Sequence, residues 1–249
     1  MCVEWITGWE HLVGVGLIVF LGQMVYAGLG FGSGLITITL LVLFFGELKV
    51  FVPLLLILCL PTEILVTYEN RKHIKLKERW GLLACMFPAL LLGTFFLKSF
   101  NEQELLKGLG MVIALLAIYY LAFEGRFSTI PSKKVWEPLV GVLSGLLGAI
   151  YGMSGPPLIF YFKNLKLNKH QFRSLLMGIF LMMSLFRLAA YLLISVLTMQ
   201  IFCLGLFCLP FALAGLWVGK KIYRKIPESM FKKITSLVLL VSGVILFLK

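Results

Sequence analysis

The chain has no aspartate, and its three histidines, His11, His73 and His170, all fall at the ends of apolar segments. Acidic catalytic pairs and metal-ligand clusters are therefore poorly supplied, and no metal or cofactor is called for. None of the cysteines, Cys2, Cys59, Cys85, Cys203 and Cys208, forms a CxxC pair, and four of them sit in apolar stretches. They read as small apolar residues rather than as a disulfide framework or a zinc site. No GxxxxGK[ST] loop is present to drive an ATP-powered cycle. The first segment is preceded by Glu4 and Glu10 rather than by a basic stretch, so no cleaved signal peptide is expected.

Apolar residues, by contrast, make up 60% of the sequence, and the mean hydropathy is +1.00. Runs of about 20 apolar residues, the length that spans a bilayer, follow one another along the chain. This composition predicts an all-α polytopic membrane protein, multi-pass in the cell inner (plasma) membrane, with the lipid bilayer as its main partner. A barrel would show short alternating segments instead. The net charge of +12 reads as orientation bias, because Lys- and Arg-rich loops stay cytoplasmic, and not as a nucleic-acid surface.

The chain reads as two copies of one plan. Tyr26–Leu35, "YAGLGFGSGL", faces Leu147–Pro156, "LGAIYGMSGP", at an offset of 121 residues, and both carry Ser-Gly at the end of a glycine-rich break. Pro88–Gly93, "PALLLG", faces Pro210–Gly215, "PFALAG", at an offset of 122. Each half has a long apolar stretch broken by glycines (12–45 and 138–162), then three spans: 50–69, 80–97 and 105–123, then 174–197, 199–219 and 233–248. The expected units are a first membrane repeat over 1–124, a cytoplasmic linker over 125–137 and a second membrane repeat over 138–249. The loop Arg71–Arg79, with five Lys or Arg, is assigned to the cytoplasm; its counterpart near Thr198 has none. Equivalent loops thus fall on opposite sides. The topology closes only if each broken stretch enters and leaves on one side, which makes the halves inverted repeats, each a glycine-broken helical hairpin plus three transmembrane helices. Trp5, Trp9, Trp80 and Trp136 lie at segment ends, as interfacial aromatics do.

Glycine weakens a helix by about 1 kcal/mol relative to alanine, yet four glycines alternate from Gly28 to Gly34. A broken membrane helix leaves backbone N–H and C=O groups that lipid cannot satisfy, so the break must be buried in protein or line a wet cavity. The helix that restarts near Ser33 aims free N–H groups and about half a positive charge at such a cavity. Ser33 and Ser154 add hydroxyls, and Pro156 and Pro157 suit the first turn of the second half-helix. Two breaks meeting near the midplane could hold one small anion. The candidate substrate-binding residues are Gly30, Gly32, Ser33, Gly34, Gly152, Ser154, Gly155 and Arg187. The competing reading is close helix packing through Gly-xxx-Gly spacing, as at Gly28/Gly32, Gly30/Gly34 and Gly141/Gly145.

Arg187 is the fourteenth residue of its 24-residue span. A charge at that depth costs about 2.5–3.5 kcal/mol on the insertion scale and usually faces a cavity or a partner. It either attracts the anion or makes a structural pair or a protomer contact. Glu63 follows Pro61, where a kink is expected; it either couples a proton to transport or pairs with Arg187 or another cation.

The start "GLGFGSGLITITLL", the basic loop after the next span and the second "GAIYGMSGPPLIFYF" resemble the TauE/SafE family of membrane permeases, over nearly the whole chain. The resemblance implies a secondary transporter for sulfur-containing anions such as sulfite or organosulfonates. It also implies that the substrate region is Gly30–Gly34 and Gly152–Gly155. The second copy departs from the glycine-rich form, with Tyr151 and Met153 where the first has Gly30 and Gly32. With the cell interior negative, expelling one negative charge gains about 2.3 kcal/mol per 100 mV, so a monoanion could leave by facilitated diffusion without a coupling ion, with proton coupling through Glu63 as the alternative; export by alternating access is the expected cycle.

Two rival readings remain. "GFG" at Gly30–Gly32 suggests an anion or ion channel, though no threonine-valine pair precedes it. "GMSG" at Gly152–Gly155 fits an intramembrane serine hydrolase, but no span holds a histidine base, and the chain is not expected to be an enzyme. A homodimer is a possible assembly.

Overall fold

A computed structural model describes residues 9–71, 79–123, 134–163, 165, 167–225 and 227. The span expected at 233–248, most of the basic loop after residue 71 and most of the 125–137 linker lie outside the described residues. Those described are helical, without strands. The helices are α1 (Trp9–Leu29), α2 (Thr39–Phe45, entered through a π-helical turn at Gly34–Ile38), α3 (Leu48–Glu69), α4 (Trp80–Ser99), α5 (Glu102–Phe123), α6 (Glu137–Tyr151), α7 (Gly155–Lys163), α8 (Lys169–Leu193) and α9 (Met199–Lys225). Among them α1, α3, α4, α8 and α9 are long and apolar enough to cross a membrane. Large apolar side chains such as Leu92, Phe95, Leu206 and Trp217 are exposed on the outside of the bundle. In water they would form a large apolar patch, whereas in a bilayer they are the lipid face.

The two glycine-broken stretches fold as hairpins. In the first, the ring of His11 near the start of α1 lies edge-on to Phe45 at the end of α2, 5.8 Å between centroids. The stretch therefore enters and leaves at one end of the bundle. Tyr161, late in α7, donates to Glu137 at the start of α6 over 3.1 Å, so the second stretch also begins and finishes at one end. The two ends are opposite. Phe45 also meets Phe51 at the start of α3. Near it, Lys49 reaches the Lys98 carbonyl, and Lys98 reaches the carbonyl of Ile194 over 2.7 Å. The far end carries the Arg79–Glu137 ion pair (2.8 Å) and the Lys220–Glu69 pair. It is also the end from which the basic loop leaves.

Glycines set how closely the helices approach. Gly141 and Gly145 of α6 lie against the carbonyls of Leu82 and Met86 on α4, and Gly215 and Gly219 of α9 lie against those of Phe20 and Met24 on α1. A Cβ at any of the four would overlap a backbone oxygen. These are small-residue contacts of the kind that replace the hydrophobic effect between helices in lipid. The packing reading of Gly141/Gly145 is correct for that pair. Gly219→Ala is expected to lower the thermal stability of the detergent-purified protein, by about 1–3 kcal/mol for overpacking. Gly110→Ala, where nothing lies within 4 Å, is expected to leave it unchanged or slightly raised; parallel melting curves of the two variants check this.

Candidate functional site

The breaks are built by backbone conformations that only glycine adopts readily. The amide of Gly30 closes α1 on the Tyr26 carbonyl, and the chain then turns through Gly30 (φ +88°) and Gly32 (φ +96°) before the helix restarts. The second break needs one such residue, Gly152 (φ +66°), whose amide bonds the Gly148 carbonyl while Met153 bonds Leu147. This is the left-handed closure that commonly ends helices. Only one inverted position is needed there, so Tyr151 and Met153 can replace glycines of the first copy.

The two breaks touch. Gly34 stands against the Gly152 carbonyl so closely that a Cβ on Gly34 would overlap it. Around this crossing lies a cavity lined by Gly32, Ser33 and Gly34 from the first break and by Gly152, Ser154 and Gly155 from the second. Tyr26 of α1, Cys59 and Glu63 of α3 and Ser184 and Arg187 of α8 complete its polar wall. The space open to the centres of water-sized molecules is about 40 Å³, room for a small ion or a few waters. Both restarting helices point their N-terminal ends at it, and the first-turn amides of a helix have no partner within the helix. Pro156 and Pro157 remove two such donors from α7, so Ser33, Gly34, Leu35, Ser154 and Gly155 carry most of the amides near the cavity.

Spacing explains which side chains arrive. Leu55, Cys59 and Glu63 recur every four residues on α3, and Phe180, Met183, Ser184 and Arg187 recur at three and four on α8. Glu63 is 3% exposed and accepts a hydrogen bond from Tyr26 (2.7 Å). Its other oxygen, Oε2, has no hydrogen-bond partner. Arg187 is 8% exposed. One of its nitrogens, Nη1, donates to the Gly148 carbonyl, the guanidinium lies 5.7 Å from the Tyr191 ring, and Nε has no partner. Tyr191 donates to the Ala149 carbonyl (2.7 Å), so α8 ties down the C-terminal carbonyls of α6, where a cation also suits the helix dipole. Arg187 is thus part structural and part cavity wall.

The sequence reading and the structure part at Gly30. It is absent from the cavity lining; its missing side chain makes room for Arg173, which donates to the Ala27 carbonyl at the end of α1. Arg173 is buried in α8, although it lies just outside the span expected at 174–197. Also missed was a polar chain behind Ser33: Thr62 donates to Gln23 (2.9 Å), Gln23 to Cys59 (3.2 Å), and Cys59 and Ser33 share a hydrogen bond (3.3 Å). The only signal for it was single polar residues inside apolar spans. Cys59 is therefore more than an apolar filler. Ser154 lines the cavity, and no histidine lines it beside that serine. Among the described residues, no group of three or more His, Cys, Asp or Glu is placed to hold a metal.

A family model described as "Sulfite exporter TauE/SafE" matches residues 15–246, nearly the whole chain, and the chain belongs to that family. It is a family of membrane permeases, consistent with the all-helical, apolar bundle. No curated protein and no solved structure matches the chain significantly.

Gly34→Ala is expected to push the two breaks apart, and Gly155→Ala, whose Cβ would meet only side chains at ordinary distances, to be tolerated. The check is the yield of monodisperse protein and its melting temperature, with Gly34→Ala lower by about 1–3 kcal/mol.

Proposed function

We propose that this chain is a secondary transporter that carries small sulfur-containing anions, sulfite first among them, outward across the cell inner membrane by alternating access. The observation behind this reading is the convergence of two helix N-termini and the Arg187 guanidinium on one buried cavity. Helix N-termini and a cation together form an anion site, and in low dielectric each is worth more than in water. The family description supplies the sulfur chemistry.

The mechanism rests on an inverted repeat. Its support is the pair of hairpins opening to opposite ends of the bundle and crossing at Gly34 and Gly152. In such folds the substrate sits at the repeat interface, and rocking of one unit against the other exposes it to each side in turn. The Arg79–Glu137–Tyr161 cluster, which ties α4 to the hairpin α6/α7 at the basic end, is a contact that such rocking must loosen. A negative interior drives the bound anion outward.

The direct test is efflux of radiolabelled sulfite from proteoliposomes with an inside-negative potential. Saturable efflux above empty liposomes is expected, with Arg187→Gln lowering the efficiency at least about tenfold, the scale of a lost hydrogen bond to a charged group. A folded wild-type protein without such efflux would remove sulfite as the substrate. The topology has its own test: single cysteines at Asn70 and Thr198 are expected to react with an impermeant reagent from opposite sides of the membrane, and labelling from the same side would refute the inverted arrangement.

A further inference from the structure

Two buried polar atoms of residues that line the cavity are left without partners, and they are of opposite kind. Arg187 Nε is a donor, and Glu63 Oε2 is an acceptor. Both residues are more than nine-tenths buried and line the same space. A buried polar atom without a partner costs about 1–3 kcal/mol, so a ligand that satisfies both is favoured over one that satisfies only one. A fully ionised oxyanion can accept from Arg187 and from the helix amides, but it has nothing to donate to Glu63. Sulfite itself would also bring two negative charges beside the carboxylate, where the monoanion brings one.

Resting on the anion-carrier reading above, we propose that the site takes the hydrogen-bearing monoanion of its substrate, hydrogen sulfite for sulfite, with the anion's oxygens on Arg187 and the helix amides and its own hydrogen donated to Glu63 Oε2. Glu63 is then a specificity-determining residue. It is fixed in place by Tyr26, whose hydroxyl occupies the other carboxylate oxygen, and Ser184 of α8 is a second hydroxyl donor to the carboxylate. One proton and one net negative charge cross with each sulfur, and no bond is made or broken.

The charged and titratable groups facing Glu63 are few. They are Tyr26 from α1, Cys59 from its own helix and Arg187 from α8; the two breaks contribute only the serines Ser33 and Ser154. None of the titratable groups of α5 (Glu102, Glu104, Lys107), α6 (Glu137, Tyr151) or α9 (Cys203, Cys208, Lys220, Lys221, Lys225), which also pack on α3, lines the cavity. The positive and negative sides of the cavity therefore reduce to Arg187 with the helix ends on one hand and Glu63 on the other.

The experiment is sulfite flux in proteoliposomes holding the full chain, at equal pH on both sides and zero potential, over a pH series spanning the hydrogen sulfite/sulfite transition. In the wild type, KM for total sulfite is expected to rise about tenfold per pH unit above that transition, because the competent fraction falls by that factor. Expressed as hydrogen sulfite, KM stays constant. Methanesulfonate, which has the same oxygens and no hydrogen to donate, is expected to compete at least about tenfold less well than sulfite at low pH, since a site built to pair a donor rejects an analogue lacking one. Glu63→Gln, whose amide can donate to a fully ionised anion, is expected to lose the pH dependence. A KM for total sulfite that stays flat or falls as pH rises overturns the proposal while leaving the carrier standing. So does methanesulfonate competing as well as sulfite, or a Glu63→Gln variant with the wild-type profile. If that variant does not fold, the wild-type pH series and the competition decide alone. Absence of saturable sulfite flux at every pH removes the carrier reading, and this proposal with it.

Discussion

The rest of the structure depends on one close approach between two backbones. Gly34 lies against the carbonyl of Gly152, with no room for a single added carbon. Interrupting a helix in lipid is costly because the freed amides and carbonyls find no water. The interruption is tolerated here because each break is buried against the other and both border a polar cavity. Without that crossing there would be two separate defects; with it they border one polar cavity.

The surrounding polar residues follow from the same constraint. Each interrupted first helix ends in carbonyls that need donors, and α8 supplies them: Arg173 to the end of α1, Arg187 and Tyr191 to the end of α6. Each restarting helix begins with amides that need acceptors, and these are the groups left to a ligand. The cations satisfy helix C-termini from within the protein, while the helix N-termini face the cavity. The charge pattern of the cavity is thus partly a by-product of repairing the breaks. Arg187 illustrates the overlap, with one nitrogen spent on Gly148 and another left unpartnered.

Much of this was legible in the sequence. The apolar runs located the described helices to within about six residues, because hydropathy over about 20 residues is a local property set by bilayer thickness. The glycine alternation at 28–34 marked a break for an equally local reason, since Gly30 and Gly32 take φ values that other residues avoid. Ser33 and Ser154, Arg187 and Glu63 stood out because polar groups inside apolar spans are expensive. All four line one cavity.

What no local pattern contained was distance between segments. Gly30 and Gly32 are two residues apart and have similar backbone angles, yet one packs on Arg173 and the other lines the cavity. Arg173 and Arg187 are both arginines of α8; one sits in a stretch that reads as a loop, and both prove to cap helix ends. Tyr26, Gln23, Cys59 and Ser184 became a connected wall only when α1, α3 and α8 were brought together. The sequence by itself determined that this chain spans a membrane, where its helices break and which residues are too costly to be idle, because each follows from single-residue physics and chain-neighbour spacing. Only the tertiary structure decided which backbone carbonyl each arginine holds, which glycine is a contact and which is a wall, and that the two breaks share one cavity. Those depend on packing between segments that lie from 39 to 146 residues apart in the chain.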